Sequence, residues 1–217
     1  MNEHSFIRLN LISLLKGETI INANKKNNKY KRILESAVRV FAQYGFYQST
    51  ISQIAKEAGV ADGTIYLYFK NKDDILVQSF SYKIKQVFER FKKEVERGQT
   101  AKDKLINLIR HHLKVFQSDR DLAVLYQTET HQSKRLAEDQ IKEMSKMYLD
   151  IISEIVEQGQ QEGSIRKDLY MGLVKRIVIG SVDEVINTWL HSDGKYDLVS
   201  MADPLVELFI QGIGSNK

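Results

Sequence analysis

The sequence predicts an all-α protein, and three observations carry that expectation. There is one proline in 217 residues, against a usual share of roughly 5%, and proline is the residue that helix interiors exclude. Apolar residues recur three and four positions apart through most of the chain, the period of an amphipathic helix. Gly, Ser, Thr, Asn and Asp fall between those runs, where helices start and stop.

Residues 1–24 read as an extension, disordered or loosely helical, because their apolar residues keep no period. Lys16-Gly17-Glu18 is also what a purine-rich ribosome-binding site would encode, so the natural start is expected further along. From Asn28 a first helix carries Ile33, Ala37, Val40, Phe41 and Tyr44, and Gly45 ends it. Ser49 or Thr50 caps a second helix with the face Ile51, Ile54, Ala55 and Ala58, stopped by Gly59. A short third runs from Ala61 to Phe69, and Asn71 caps a long fourth that reaches Arg97. Five more follow: Thr100 to Gln117, Asp121 to Thr130, Lys134 to Gly159 with Gly163 as the stop, Asp168 to Trp189, and Pro204 to Gly212. Asp203-Pro204 reads as N-cap and first helical residue of the last.

Composition removes several function classes. Without cysteine there is no disulfide framework, thiolate zinc site or Cys nucleophile. His4, His111, His112, His131 and His191 form no H-E-x-x-H, and there is no G-x-S-x-G. Catalytic residues, a metal site and a resident cofactor are therefore not expected. No apolar run reaches a membrane span, and the expected location is the cytoplasm. The net charge of +4 is uneven: residues 1–72 hold eleven Lys and Arg against five acids, while the rest hold 21 against 23. That asymmetry points the first third at an anionic partner.

Two short helices meeting at Gly59 make a helix-turn-helix, whose second helix enters the DNA major groove. Thr50 and Lys72 sit beside helix starts and are candidate phosphate clamps. Lys25, Lys26 and Lys29 belong to a basic arm suited to the backbone or minor groove. On the short helix, Gly63 permits close backbone approach, and Thr64, Tyr66 and Tyr68 bring hydroxyls towards the duplex. Leu67 suits a thymine methyl; Asp62 either accepts from a cytosine amino group or repels phosphate.

Gly59, Val60, Gly63, Thr64, Ile65, Tyr66, Tyr68, Phe69, Asn71, Lys72, Asp73 and Leu76 together resemble the TetR family of bacterial transcription regulators. Ala61 stands where that pattern commonly has Ser, and Asp62 is the expected substitute cap. The resemblance implies a nine-helix TetR-like fold and a dimer on a palindromic DNA operator. It implies a helix-turn-helix domain over 25–72 and a ligand-binding and dimerisation domain over 73–217. Gln127 to Leu136 and Gly180 to Leu190 look similar to the fatty-acid-degradation repressors of that family, which implies a long-chain acyl-CoA as effector. An efflux-type regulator induced by a lipophilic drug or aromatic compound is the alternative.

An acyl chain needs an apolar tunnel, for which Leu105, Leu108, Ile109, Phe116, Leu125, Met147, Ile151 and Trp189 are the candidates. Arg110, His111, His112, Lys134 and Arg135 are the candidate cations for its phosphates. Homodimerisation is expected through the last two long helices. There Gly172, Gly180 and Ser181 allow close packing, and Leu205, Leu208, Phe209 and Ile210 form a stripe.

Overall fold

The computed structural model describes residues 27–131 and 138–213. All the regular structure there is helical. α1 covers 27–44. It is followed by α2 (Ile51–Ala58), α3 (Asp62–Ile65), α4 (Lys72–Glu96), α5 (Ala101–Ser118), α6 (Arg120–His131), α7 (Glu138–Glu162) and α8 (Met171–His191). A 3-10 turn (Leu198–Met201) and α9 (Ala202–Ile213) complete it. The chain divides into two compact units between Ile75 and Leu76, inside the first turns of α4. The sequence had suggested a division at 72/73.

The first unit is organised by Ile33, Leu34, Ala37, Val38 and Phe41 of α1, all buried with Ile54, Ala55 and Ala58 of α2 and Ile65 and Phe69 beyond. Tyr44, expected on that apolar face, is 43% exposed; α1 ends there and no later turn covers its ring. Ser49 and Thr50 divide the work at the next start. Ser49 Oγ donates to the Gly45 carbonyl at 2.6 Å, while Thr50 is the cap, in a reciprocal box with Gln53. Gly59 then turns the chain in the left-handed conformation, φ 62° and ψ 44°, which side chains with a Cβ rarely adopt. Arg32 of α1 donates to the carbonyls of Ala58 and Gly59, closing the exposed end of α2. α3 is one turn of regular helix and relaxes into a turn at 66–68, shorter than the expected 61–69. Asn71 Oδ1 accepts from Asp74 N at 2.8 Å and starts α4.

In the second unit α5 is the central rod. Thr100 and Asp103 cap it, and Ala101, Leu105, Leu108, Ile109, His112, Leu113 and Phe116 are buried against its neighbours. It packs on α6, α7, α8, the 3-10 turn and α9, which accounts for apolar residues on several of its faces. α7 continues past Gly159 to Glu162, where Gly163 turns left-handed at φ 75°, and Ile165 lies against the bare Gly159. The start of α9 differs from the expected one. The 3-10 turn feeds straight into it, so Pro204 is its third residue and Asp203 its second. Proline is tolerated there because the first four helical N–H groups have no intrahelical acceptor. The cap lies upstream, where Asp197 accepts from Val199 N at 3.2 Å.

Candidate functional site

Among the described residues, two places have the chemistry of a site. In the first unit it is the surface of α3 and its following turn. Tyr66 is 60% and Leu67 76% exposed, although both would be buried readily if any neighbour were at hand. Thr64 is half-buried, while Lys29, Thr50 and Gly63 are exposed. An ideal Cβ at Gly63 meets nothing within 4 Å, and its φ is not in the left-handed range. Nothing inside the unit therefore demands glycine there. Tyr47, at 69% exposed, is a further exposed aromatic of this unit that escaped the sequence reading, since no period or motif marks a lone aromatic in a turn.

Three expected members have other partners. Lys72 was read as a phosphate clamp. Its ammonium instead donates to the carbonyls of Phe46 at 2.7 Å, Ser49 at 2.8 Å and Tyr47 at 3.3 Å, over the Phe46 ring at 4.5 Å. All three donors are engaged, so it fastens the turn before α2 to the start of α4. Asp62 does not cap α3, whose N-cap Ala61 has no side-chain bond; its carboxylate accepts from Ser52 Oγ, joining α3 to α2. Tyr68 is half-buried, its ring 6.1 Å from that of Tyr30. Lys25 and Lys26 lie outside the described residues.

In the second unit the site is an apolar cavity of about 40 Å³. Its wall is Phe80, Ile84, Val87, Phe88 and Phe91 of α4, His112, Val115 and Phe116 of α5, and Leu122 and Tyr126 of α6. Met144, Ser145 and Tyr148 of α7 and Ile179 of α8 close it. His112 Nδ1 and Tyr148 OH are buried without a hydrogen-bond partner, as is Asp183 Oδ1. The His112 and Tyr148 rings are 5.0 Å apart. Burial, and then His111 beside it, hold the His112 imidazole down to about 3. Burial pushes the Asp183 carboxyl up to about 7, and burial with nearby Asp183 raises the phenols of Tyr126 and Tyr148. Near neutral pH the cavity wall is thus uncharged at His112, as an apolar ligand requires.

Of the expected ligand residues, His112 and Phe116 line this cavity. His112 is there as a neutral ring and not as a phosphate cation. Met147 lines a separate open groove between α4 and α7. Leu105, Leu108, Ile109, Leu125 and Ile151 are core residues, at most 5% exposed, and are not among the lining residues. Trp189 holds the end of α8, its Nε1 donating to Tyr196 O at 3.0 Å. Arg110 pairs with Asp203 at 2.5 Å on the opposite face of α5. Lys134 and Arg135 lie outside the described residues. The aromatic side of α4 was visible as a helical stripe, but a stripe does not say whether its neighbours leave a gap.

Comparison with known proteins places both halves. Residues 33–78 match the family of bacterial regulatory proteins called the tetR family. Residues 80–212 match the C-terminal region of YsiA-like proteins. A fatty acid metabolism regulator protein of Bacillus subtilis (strain 168) is 42% identical over 189 residues, covering 87% of this chain and 97% of that protein. The crystal structure of FadR from Bacillus subtilis in complex with stearoyl-CoA superposes with a TM-score of 0.78, covering 85% of this chain and 99% of that one. That of the fatty acid degradation regulator FadR from Bacillus halodurans gives 0.79 at 36% identity, covering 85% and 95%. An exposed recognition surface after a left-handed glycine turn, a separate helical unit with an apolar cavity, and these matches over both halves agree: the chain belongs to the TetR family of bacterial transcription regulators.

Proposed function

We propose that this regulator is a repressor that binds a palindromic operator as a homodimer and is released by long-chain acyl-CoA, so controlling fatty acid degradation genes. It works in the cytoplasm, by binding and not by catalysis; no described helix is long and apolar enough to cross a membrane. The observation that carries the reading is the cavity itself, because α4 supplies five of its wall residues and the first turn of the same helix belongs to the DNA-binding unit. An acyl chain in this cavity lies against those five α4 side chains and biases the position of that helix. An effector lowers DNA affinity only by preferring a conformation that binds DNA less well, and in this reading the ligand-filled form is that conformation. Carry-over from the Bacillus subtilis relative, solved with stearoyl-CoA, supports the choice of ligand.

A homodimer is supported by the exposed faces of the last two helices. Leu173 and Ile177 of α8 and Leu208 of α9 are 54%, 48% and 67% exposed. Gly180, Ser181 and Leu205 line the groove between these helices. A two-fold four-helix contact would cover this apolar surface, and its symmetry would match a palindrome.

The aromatic wall of Phe80, Phe88, Phe91, Phe116, Tyr126 and Tyr148 is what favours the second reading, a lipophilic aromatic effector. Fluorescence anisotropy on a labelled operator decides between them. Long-chain acyl-CoA is expected to release the protein, and free fatty acid to do less. If acyl-CoA leaves the complex intact, and native mass spectrometry of the purified protein shows a co-purified aromatic compound, the acyl-CoA reading is wrong.

A further inference from the structure

The element that follows the Gly59 turn is anchored unevenly. Its C-terminal half is held by packing. Ile65 and Phe69 are buried, and the Phe69 ring stacks on Tyr30 of α1 at 5.4 Å with 12° between the planes. Its N-terminal half has no such hold. Ala61, Asp62 and Gly63 are all exposed, and the N-cap Ala61 makes no side-chain hydrogen bond. Thr64 N closes the first turn on Ala61 O at 2.8 Å, within the element itself. Arg32 fixes the preceding turn through the carbonyls of Ala58 and Gly59, which leaves the roll of α3 open. Among the described residues, the side-chain bond that ties this half to α2 is the one Ser52 Oγ donates to the Asp62 carboxylate. Ser52 is the second residue of α2 and Asp62 the first of α3, so the bond bridges the opening turns of the two helices.

We propose that Asp62 is a positioning residue for operator discrimination: through Ser52 it fixes the angle at which the exposed start of α3 meets the duplex, without itself contacting a base. The inference rests on the reading of this chain as an operator-binding repressor and adds what sets its selectivity. Gly63, Thr64, Tyr66 and Leu67 follow Asp62 directly, so a change of roll at Asp62 moves them all against the groove floor. Contacts to base edges depend on distance and angle, whereas phosphate contacts carry no sequence information and supply affinity for any duplex. Loss of the tie therefore costs selective binding and spares the non-selective part. A free carboxylate on this edge would only repel phosphates; one engaged by Ser52 offsets that repulsion by holding the helix.

The test uses the full-length protein and two probes at one salt concentration. One is a symmetric duplex that the wild type selects from a random pool, the other an unselected duplex of the same length. The readout is the ratio of the two affinities. Ser52→Ala should lower the ratio about tenfold, the scale of one hydrogen bond to a charged group, with binding to the unselected duplex unchanged. Asp62→Asn keeps an oxygen for Ser52 and sheds the charge. Both affinities should then rise by the same factor and the ratio should stay. Asp62→Ala should strengthen unselected binding in the same way but lose the ratio as Ser52→Ala does. The double variant Ser52→Ala/Asp62→Ala should fall no further than either single one, because the two act through one bond. A wild-type ratio in Ser52→Ala would overturn the assignment. So would an altered base preference in Asp62→Asn, which would make Asp62 a direct reader, or equal ratios in Asp62→Asn and Asp62→Ala, which would leave repulsion alone. A loss of both affinities in Ser52→Ala with a lowered melting curve would mean a structural effect and would equally overturn it. A wild type that selects no duplex sinks the functional reading itself, a result distinct from a selective wild type with an indifferent Ser52→Ala.

Discussion

Gly63 sits in a helical turn, where glycine costs up to about 1 kcal/mol relative to alanine, yet no neighbour within 4 Å excludes a methyl group. The proposed demand for glycine comes from outside the chain, from a DNA surface that approaches the backbone. Gly63→Ala is expected to leave the free protein as stable or slightly more so in thermal unfolding, and to weaken operator binding at fixed salt. Unchanged affinity would remove Gly63 from the interface. Lys72 makes the opposite case. Lys72→Met strands carbonyls of Phe46, Tyr47 and Ser49 and should lower stability by roughly 1–3 kcal/mol; a plain phosphate clamp would leave the melting curve alone. Asp183 and His112 give a pH signature. The raised Asp183 carboxyl favours the protonated folded state, so its stabilising contribution is full at low pH and fades from about pH 4 to about 7. The depressed His112 works the other way: stability is full above its ordinary 6.5 and is lost as pH falls towards about 3. The two slopes oppose each other in the overlap. Asp183→Asn should remove the falling one and be more stable than wild type at pH 8 by on the order of 2 kcal/mol, read from urea unfolding at several pH values.

Among the elements, α4 and α5 decide whether the second unit is a solid core or a receptor. Their sequences read as amphipathic stripes, and a stripe is the same whether its partner fills the space or stops short of it. Leu105, Leu108 and Ile109 are equally apolar with Val115 and Phe116, but the first group is buried core and the second lines the cavity. Helical period also separates Arg110 from His111. One position along α5 turns the side chain by about 100°, which sends Arg110 to Asp203 and leaves His111 in a groove between α4 and α5. Filling the gap should uncouple the protein from its effector. Ser145→Phe, projecting from the α7 wall, is expected to preserve operator binding and to weaken release by palmitoyl-CoA at least tenfold in the anisotropy assay. Release at the wild-type concentration would place the acyl chain elsewhere.

For the molecule as a whole, the proposed dimer and its proposed operator are tested together. Ile177→Glu with Leu208→Glu puts charge on the exposed apolar faces of α8 and α9, where a solvated surface would tolerate it. Sedimentation should show a monomer, and affinity for a symmetric operator should fall to that for an isolated half-site. A variant that still sediments as a dimer would move the contact to another face. The sequence alone was enough for the helices and for the DNA-binding motif, because both depend on local chemistry. Gly59 turns, and Gly63 to Leu76 carry the motif within a few residues of one another; that Thr50 and not Ser49 is the cap was decided by the structure. Only the tertiary structure settled which apolar residues are core and which line a gap, and which cations are already neutralised. Those properties belong to the space between helices far apart in the chain, and no spacing along one of them records how closely another approaches.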